Sequence, residues 1–473
     1  MRSVALAAAL TALTAGVQAD LCTGTSKQIN GNWYCQAVQR ISYHGVGGRG
    51  TYKKVTGFNE NTRTCSSVDF DFEGSLAPMD EDISFHFRGP VQLKQFAVYV
   101  PGASTQQKAR SAKRTIHERR LGGHGHSAFH KRKDTVVPNN DIVQAEKRAV
   151  GDLVIATING QVVSWINEYS GEPTPAVAVP AQNPSAAQAT QPTVGSPSVV
   201  SPSFGSPSVG RPAQEQSRPK PSPSQSAPQP AGTGDWTQIA YYNAEQAIAD
   251  GLVFLGHYGG QGSGVFDYAF GNSLSYLGSD GVSGCASPEV LRDVGIPSNK
   301  EFAIFSDKPC DGDNCGFVRP GTVAYEGFGG PSKAFFMEFS MPDDGRVGWN
   351  ENMPAIWTLN AQIPRTLQYG DASCSCWTSG CGEFDLFEVL DSGNTRCKST
   401  YHGPVHNQGG DSNYFVRPTS KTIKAAMVMH EGSIHIEILD DDTTFGASKS
   451  TSSIMGIADD ARQNILTSIF DLA

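Results

Sequence analysis

The sequence predicts an all-β fold made of two β-sandwich domains. The apolar stretches are short and several alternate with polar residues, as at Ile83, Phe85 and Phe87. Glycine (51 residues) and proline (28 residues) separate these stretches, and charged residues make up only 18 % of the chain. Such a composition is typical of a turn-rich extracellular protein. Because 473 residues are too many for one ordinary core, we expect two domains.

The N-terminus has the pattern of a secretory signal peptide over residues 1–19. Arg2 supplies the positive charge, Val4 to Val17 form the apolar run, and Ala19 is a small residue of the kind that signal peptidase accepts. The run is too short to span a bilayer, no second one follows, and the last residues lack the hydrophobic tail of a GPI signal. We therefore expect a secreted, monomeric protein without a transmembrane segment or GPI anchor.

Residues 20–170 are predicted to form the smaller, N-terminal β-sandwich. Asn159-Gly160 lies between two apolar runs, and this pair accepts the positive φ angles of a tight hairpin turn. A basic insertion at 108–148, with eleven Lys and Arg against four Asp and Glu, interrupts the domain. Such a charge run is usually a solvated, disordered loop. Cleavage at its dibasic pairs, such as Lys147-Arg148, and adhesion to an anionic wall polymer are the alternatives.

A linker and a larger domain make up the rest of the chain. Residues 171–235 are rich in proline and serine, and such a segment cannot bury enough apolar surface to offset the entropy of ordering it. We expect a disordered spacer there. Residues 236–473 carry short apolar stretches separated by turn residues, which favours an antiparallel sandwich. The mildly acidic charge balance, 37 Lys and Arg against 46 Asp and Glu, argues against nucleic acid as a partner.

The ten cysteines are predicted to form disulfides rather than a zinc site, because secretion places them in an oxidising compartment. Cys22, Cys35 and Cys65 lie in the N-terminal part, and seven more lie between Cys285 and Cys397. Both counts are odd. Either each part keeps a free thiol, or one bridge joins the two parts, and the sequence leaves the connectivity open.

The segment Gly382–Leu390, with the sequence GEFDLFEVL, carries three acidic residues. In a strand, Glu383 and Asp385 project from one face, and strict alternation would place Phe387 beside them instead of Glu388. One β-bulge, which inserts an extra residue, would bring Glu388 to the acidic face. Since three carboxylates on one face repel each other, such an arrangement is kept chiefly where the chemistry needs it. We predict that these three residues are catalytic.

Retaining glycoside hydrolysis is the reaction that fits this arrangement. It needs one ionised carboxylate as nucleophile and one protonated carboxyl group as general acid. Asp385, between the two glutamates, can hydrogen-bond the nucleophile and separate the pKa values of the pair. A solvated edge-strand face or a calcium site is the structural alternative for the same residues. The apolar residues on both sides weigh against an edge strand.

The acidic segment resembles the active-site strand of family 16 glycoside hydrolases, the β-jelly-roll laminarinases, lichenases and transglycosylases. Three neighbouring segments are similar to that family in the same order: Lys333–Pro342, Met353–Trp357 and Ser399–His402. The whole architecture resembles more closely the Tos-like fungal cell-wall proteins, which join a Gly-rich β domain, a Ser/Pro linker and a glucanase-like domain. This resemblance implies a concanavalin-like β-jelly-roll sandwich for residues 236–473.

The resemblance also implies roles for individual residues. Glu383 would be the nucleophile, Asp385 its assistant and Glu388 the acid/base. Trp357 would stack on a sugar ring, and His402 would lie near the acid pair.

Two departures from the family pattern concern the surroundings of these acids. Met353 replaces the first Trp of the Trp-Pro-Ala-x-Trp segment. The stretch from Ala361 to Cys381 is longer and richer in cysteine than the usual connection. Trp377, in this stretch, is a further candidate for substrate binding.

The expected function is that of a secreted glucan endo-1,3-β-glucosidase that acts on fungal cell-wall β-1,3-glucan with retention. The chemistry requires no cofactor, and no catalytic metal is expected; a structural calcium ion stays open. Two other functions stay open. A β-glucan transglycosylase would use the same acids with a sugar hydroxyl in place of water, and a non-catalytic glucan-binding wall protein would keep only the fold.

Overall fold

The computed structural model describes residues 25–102, 153–158, 161–166, 236–312, 314–404 and 408–472. The predicted signal peptide (1–19), basic insertion (108–148) and Ser/Pro linker (171–235) lie outside the described residues. The described part consists mainly of β-strands with two short α-helices, which confirms the all-β prediction. None of the helices in this part is long and apolar enough to cross a membrane.

Strands are numbered in chain order. The first nine are β1 (Lys27–Ile29), β2 (Asn32–Tyr34), β3 (Arg40–His44), β4 (Gly48–Asn59), β5 (Thr64–Gly74), β6 (Ile83–Arg88), β7 (Gln92–Pro101), β8 (Leu153–Ile158) and β9 (Gln161–Ile166). The next nine are β10 (Trp236–Asn243), β11 (Ile248–Asp250), β12 (Leu252–Gly256), β13 (Phe266–Asp267), β14 (Gly271–Asn272), β15 (Ser275–Leu277), β16 (Gly284–Cys285), β17 (Glu301–Ser306) and β18 (Lys333–Ser340).

The last nine strands are β19 (Ala355–Asn360), β20 (Glu383–Glu388), β21 (Arg396–His402), β22 (Gln408–Gly409), β23 (Phe415–Val416), β24 (Ile423–His430), β25 (Ser433–Leu439), β26 (Ser448–Lys449) and β27 (Thr467–Asp471). The helices are α1 (Gln362–Thr366) and α2 (Thr451–Ile457), with 3-10 turns at Ala372–Cys374 and Trp377–Ser379.

Two large sheets form a sandwich. The site sheet has the order β16-β15-β12-β17-β6-β19-β20-β21-β22, and the back sheet has the order β11-β10-β7-β18-β24-β25-β3-β27. The strand pairs within both orders are antiparallel, except for the parallel pair β3 and β27. Aromatic side chains join the sheets, as where the rings of Phe85 and Phe335 lie 5.0 Å apart and those of Phe339 and Phe387 lie 5.1 Å apart. One apolar core therefore lies between the two sheets.

The N-terminal strands belong to this same sandwich, so the prediction of a separate N-terminal sandwich is wrong. Strand β6 pairs with β17 and β19, β7 pairs with β10 and β18, and β3 pairs with β25 and β27. The residues from Ile83 to Phe87 are all buried, which requires a neighbour on each side and a cover on each face. Alternation in the sequence indicates a strand but carries no information on which distant strand it joins.

The segment between Pro101 and Trp236 connects two neighbouring strands of one sheet, whereas the sequence predicts a link between two domains. Pro101, the last residue of β7, lies opposite Trp236, the first residue of β10. The chain therefore leaves and re-enters the back sheet at adjacent strand ends. Within this segment, β8 and β9 pair as the hairpin predicted from Asn159-Gly160, in a two-stranded sheet of their own.

A hairpin of β4 and β5 packs against the site sheet on the side away from the core. Its Tyr52 and Phe72 form an apolar cluster with Ala355, Trp357 and Leu359 of β19. Alternate residues of β19, such as Ile356, face the core instead. The hairpin thus covers part of the outer face of the site sheet.

Disulfides tie this region together. Cys65 of β5 bonds Cys374, and further bridges join Cys310 to Cys315 and Cys376 to Cys381. Of the two alternatives left by the odd cysteine counts, a bridge between the N-terminal and C-terminal parts is the one found. Among the described cysteines, Cys285 and Cys397 are free.

Candidate active site

Strand β20 contains the bulge that the sequence predicts. Against β19, Ile356 lies opposite Phe387 and Trp357 lies opposite Asp385, so that Leu386 has no opposite residue. The pairing of β20 with β21 shifts in the same place, between Asp385 and Glu388. An extra residue at this point turns the remainder of the strand over.

The bulge gathers the three acidic side chains on one face. Leu386 and Phe387 are consecutive, yet both are fully buried in the core between the sheets. Glu388 consequently projects from the outer face, as do Glu383 and Asp385. Without the extra residue, Glu388 would point into apolar side chains, where a carboxylate is strongly disfavoured.

Gly382 shapes the entry to this strand. Its φ angle is +108°, and an added Cβ would lie 2.5 Å from the sulfur of Met79. Both facts favour glycine, because a side chain would be strained and would also collide. The residue in front of Glu383 therefore fixes the direction in which the acidic strand begins.

His402 is the partner of the central acid. It lies opposite Glu383 on β21, and its Nε2 is 3.1 Å from Asp385 Oδ2. Burial lowers the pKa of His402, but the hydrogen bond to Asp385 and the charges of the three carboxylates outweigh this and raise it to about 9. At neutral pH the imidazolium therefore donates to Asp385.

The three carboxyl groups all hold their protons more tightly than usual. Burial, followed by the charge of Asp385, raises the pKa of Glu383 to about 7, against the opposing effects of His402 and Trp377. Burial raises the pKa values of Asp385 and Glu388 as well, and repulsion within the group adds to both. Such a group can hold one carboxyl protonated while another is ionised, as general acid catalysis requires.

Trp377 contacts the predicted nucleophile directly. It lies in the 3-10 turn Trp377–Ser379, and its indole Nε1 donates a hydrogen bond to Oε2 of Glu383. The side chain is 41 % exposed. The stretch that departs from the family pattern therefore brings its tryptophan to the acidic face.

Trp357 lies next to the acids but is not an open sugar platform in this structure. It is opposite Asp385 on the same face, yet only 5 % exposed. Its ring stacks on His86 at a centroid distance of 5.2 Å and packs in the cluster beneath the β4–β5 hairpin. The expectation that Trp357 stacks on a sugar fails here because a hairpin distant in the sequence covers the ring.

Arg88 is a site residue that sequence reasoning missed. It lies at the end of β6, opposite Ala355, which in turn lies opposite Glu388. Its Nη2 is 3.5 Å from Glu388 Oε1, and its Nε donates to the carbonyl of Met353 at 2.9 Å. The basic end of an apolar strand is the only signal that the sequence offers, because 300 residues separate Arg88 from Glu388.

Polar side chains extend this face beyond Arg88. Glu301 of β17 lies opposite Arg88. The hydroxyl of Tyr369 donates to Oε2 of Glu301 at 2.6 Å. The ring of His257 meets that of Tyr369 edge to face, with centroids 5.6 Å apart. The polar residues on the outer face of the site sheet therefore continue from β20 across β6 to β17.

Two family models match the chain. The model described as "Cell wall protein YJL171C/Tos1, C-terminal" matches residues 234–457, and the corresponding N-terminal model matches residues 39–101. The two matched regions contain the strands that interleave in the two sheets. No solved structure matches the chain.

Curated relatives match over almost the full length. A "Probable circularly permuted 1,3-beta-glucanase" of Arthroderma benhamiae is 42 % identical, over 90 % of both chains. The relative named TOS1 from Candida albicans is 38 % identical over 96 % of both chains. The relative named TOS1 from Saccharomyces cerevisiae is 42 % identical, over 89 % of this chain and 90 % of its own length. By family models and full-length relatives alike, this chain belongs to the Tos1 family of cell wall proteins.

Proposed function

We propose that the protein is a glucan endo-1,3-β-glucosidase that cleaves cell-wall β-1,3-glucan by retaining double displacement. The observation that carries the proposal is the bulged strand β20, which gathers Glu383, Asp385 and Glu388 on one face with raised pKa values. A structural carboxylate cluster would be expected to have cations beside every acid. Here the imidazolium of His402 partners Asp385 and Arg88 lies beside Glu388, but the direct donor to Glu383 is the neutral indole of Trp377.

Two steps follow from this arrangement. Glu388 first donates its proton to the glycosidic oxygen while Glu383 attacks the anomeric carbon, giving a glycosyl ester on Glu383. Glu388 then takes a proton from water, which attacks the same carbon and releases the sugar. Asp385, held by His402, keeps a hydrogen-bonding group beside the nucleophile while the charge on Glu383 changes.

The relatives support the substrate and the location. Their printed names include 1,3-beta-glucanase, and the family description is that of a cell wall protein. The disulfides suit an oxidising environment outside the cytosol. We propose accordingly that the protein is secreted to the wall and uses no cofactor.

The test is incubation of the purified secreted protein with laminarin, followed by measurement of reducing ends and separation of the products. Wild type should release oligosaccharides, while Glu383→Gln and Glu388→Gln should each lose about a thousandfold in rate. Glu431→Gln, at an 84 % exposed position in a turn, is the matched control and should keep wild-type activity.

Two outcomes would overturn the proposal. Products longer than the donor, without net release of reducing ends, would indicate a transglycosylase. Glucan binding without products, equal in wild type and both variants, would indicate a non-catalytic wall protein.

A further inference from the structure

We propose that Trp377 is a positioning residue for Glu383, and that the disulfide loop Cys376–Cys381 exists to hold its indole N–H against the nucleophile. This inference rests on the proposed function, since it concerns the same carboxylate. It assigns Trp377 a role different from the sugar binding predicted from the sequence.

The indole N–H contacts the proposed nucleophile directly. Its Nε1 donates to Oε2 of Glu383, and the ring centroid lies 6.3 Å from that of His402, which donates to Asp385. Two neighbouring carboxylates thus each have their own ring donor. Unlike an imidazole, an indole N–H cannot exchange its proton with a carboxylate or accept one, so it fixes the orientation of Glu383 without competing for the proton.

The donor also favours the form of Glu383 that the reaction needs. Burial and the charge of Asp385 raise the pKa of Glu383, and the hydrogen bond from Trp377 is among the contacts that lower it. A hydrogen bond donated to the ionised form stabilises that form. Trp377 therefore aims the nucleophile and increases the fraction of it that is ionised.

The loop that carries Trp377 is held closed at both ends. Cys376 and Cys381 are disulfide-bonded across a separation of five residues, and Gly380, with a φ angle of +85°, donates its N–H to the carbonyl of Trp377 at 2.9 Å. Ser379 Oγ donates to the carbonyl of Cys376 at 2.8 Å. These bonds leave the backbone of Trp377 little freedom to move away from β20.

The N-terminal hairpin steadies the loop from outside. The backbone N–H of Lys53 in β4 donates to Ser379 Oγ at 2.9 Å, and Cys65 in β5 is bonded to Cys374, just before the loop. The hairpin thus bonds to the loop, and the indole carried by the loop bonds to the carboxylate of the nucleophile.

The first experiment compares Trp377→Phe with wild type on laminarin. Phenylalanine keeps an aromatic face for a sugar but lacks the N–H, so kcat should fall about 10- to 100-fold while KM changes less than about threefold. The acidic limb of the kcat/KM profile should move to higher pH, because Glu383 loses a donor. Thr378→Ala alters the neighbouring exposed side chain of the same loop and should behave as wild type. A raised KM with unchanged kcat would overturn positioning and indicate a sugar platform.

The second experiment tests the loop with a pair of matched disulfides. Cys376→Ser with Cys381→Ser should reproduce the kinetic loss of Trp377→Phe. Cys310→Ser with Cys315→Ser removes a bridge of equal sequence separation elsewhere and should not. Equal effects of the two double variants would show that the loop has no special role.

A readout without turnover separates this inference from the proposed function. Trp377 fluorescence should follow the titration of Glu383, appearing as a pH-dependent component that is absent in both Trp377→Phe and Glu383→Gln. If wild type cleaves no glucan but this component is present, the proposed function fails and the positioning contact stands. If wild type is active and the component is missing, the positioning inference fails alone.

Discussion

Three carboxyl groups on one face of a strand make folding less favourable whenever all of them are ionised. At Glu383 the cost of ionisation is large, because burial and the charge of Asp385 raise its pKa from an ordinary 4.5 to about 7. The folded protein therefore holds a proton between these two pH values that the unfolded chain releases. The stabilising effect of that proton is complete below pH 4.5 and is lost as the pH rises to about 7.

This sign gives a prediction for stability. Glu383→Gln removes the titration, so the variant should be more stable than wild type by about 3 kcal/mol at pH 8, with the difference disappearing near pH 4. Urea unfolding at the two pH values measures the free energies. Glu431→Gln serves as the control and should show no such dependence. If Glu383→Gln changed the free energy of unfolding by the same amount at both pH values, the raised pKa of Glu383 would be contradicted.

Individual site residues differ in how far the sequence could reveal them. The acids follow from their spacing within one segment, and His402 follows from the resemblance of its strand. Arg88 and Glu301 do not, because each lies on a strand that meets the acids only through the fold. Long-range pairing between strands leaves no periodic signal in either strand.

At the scale of elements, strand β20 is defined by one extra residue. The sequence predicts the bulge because Glu388 is an odd number of residues from Glu383 and Asp385, so a regular strand would place it on the opposite face. The structure has the bulge at Leu386. The same argument could not predict the cover over Trp357, because that hairpin comes from residues 48–74, far away in the chain.

Deleting Leu386 tests the bulge. The shortened segment, Glu-Phe-Asp-Phe-Glu, would alternate strictly and keep all three acids on one face. The variant should lose stability, since a buried leucine is worth about 2–5 kcal/mol, but it should retain more laminarin activity than Glu388→Gln. Circular dichroism monitors folding, and reducing ends monitor activity. If the deletion variant folded but were as inactive as Glu388→Gln, the inference that the bulge serves to bring Glu388 to the acidic face would be contradicted.

At the scale of the whole molecule, one sandwich takes the place of the two predicted domains. The composition of the linker correctly separates it from the strands but says nothing about where its ends lie. Pro101 and Trp236 turn out to be neighbours in one sheet. Strands β6 and β7 lie in the interior of the two sheets, so the C-terminal part alone would lack a central strand in each.

Two truncated proteins test this architecture. Replacing residues 103–234 by a short Gly-rich turn should leave a folded, active protein, because Pro101 and Trp236 are already adjacent in the back sheet and a short turn can join them. Residues 231–473 alone should fail to fold, since both sheets would be open at their centres. Solubility, circular dichroism and laminarin activity report on both. An active fragment of 231–473 would contradict the single sandwich.

The bridge between Cys65 and Cys374 changes what a proteolytic cut would mean. A protease that nicks the chain anywhere from residue 103 to residue 235 would leave two polypeptides. The disulfide joins them covalently, and the hydrogen bonds between β7 and β10 hold them together non-covalently. Such a molecule would migrate as one band in a non-reducing gel and as two bands after reduction. Cleavage at two dibasic pairs would therefore remove the residues between them while Arg88 and Glu388 stay in one disulfide-linked protein.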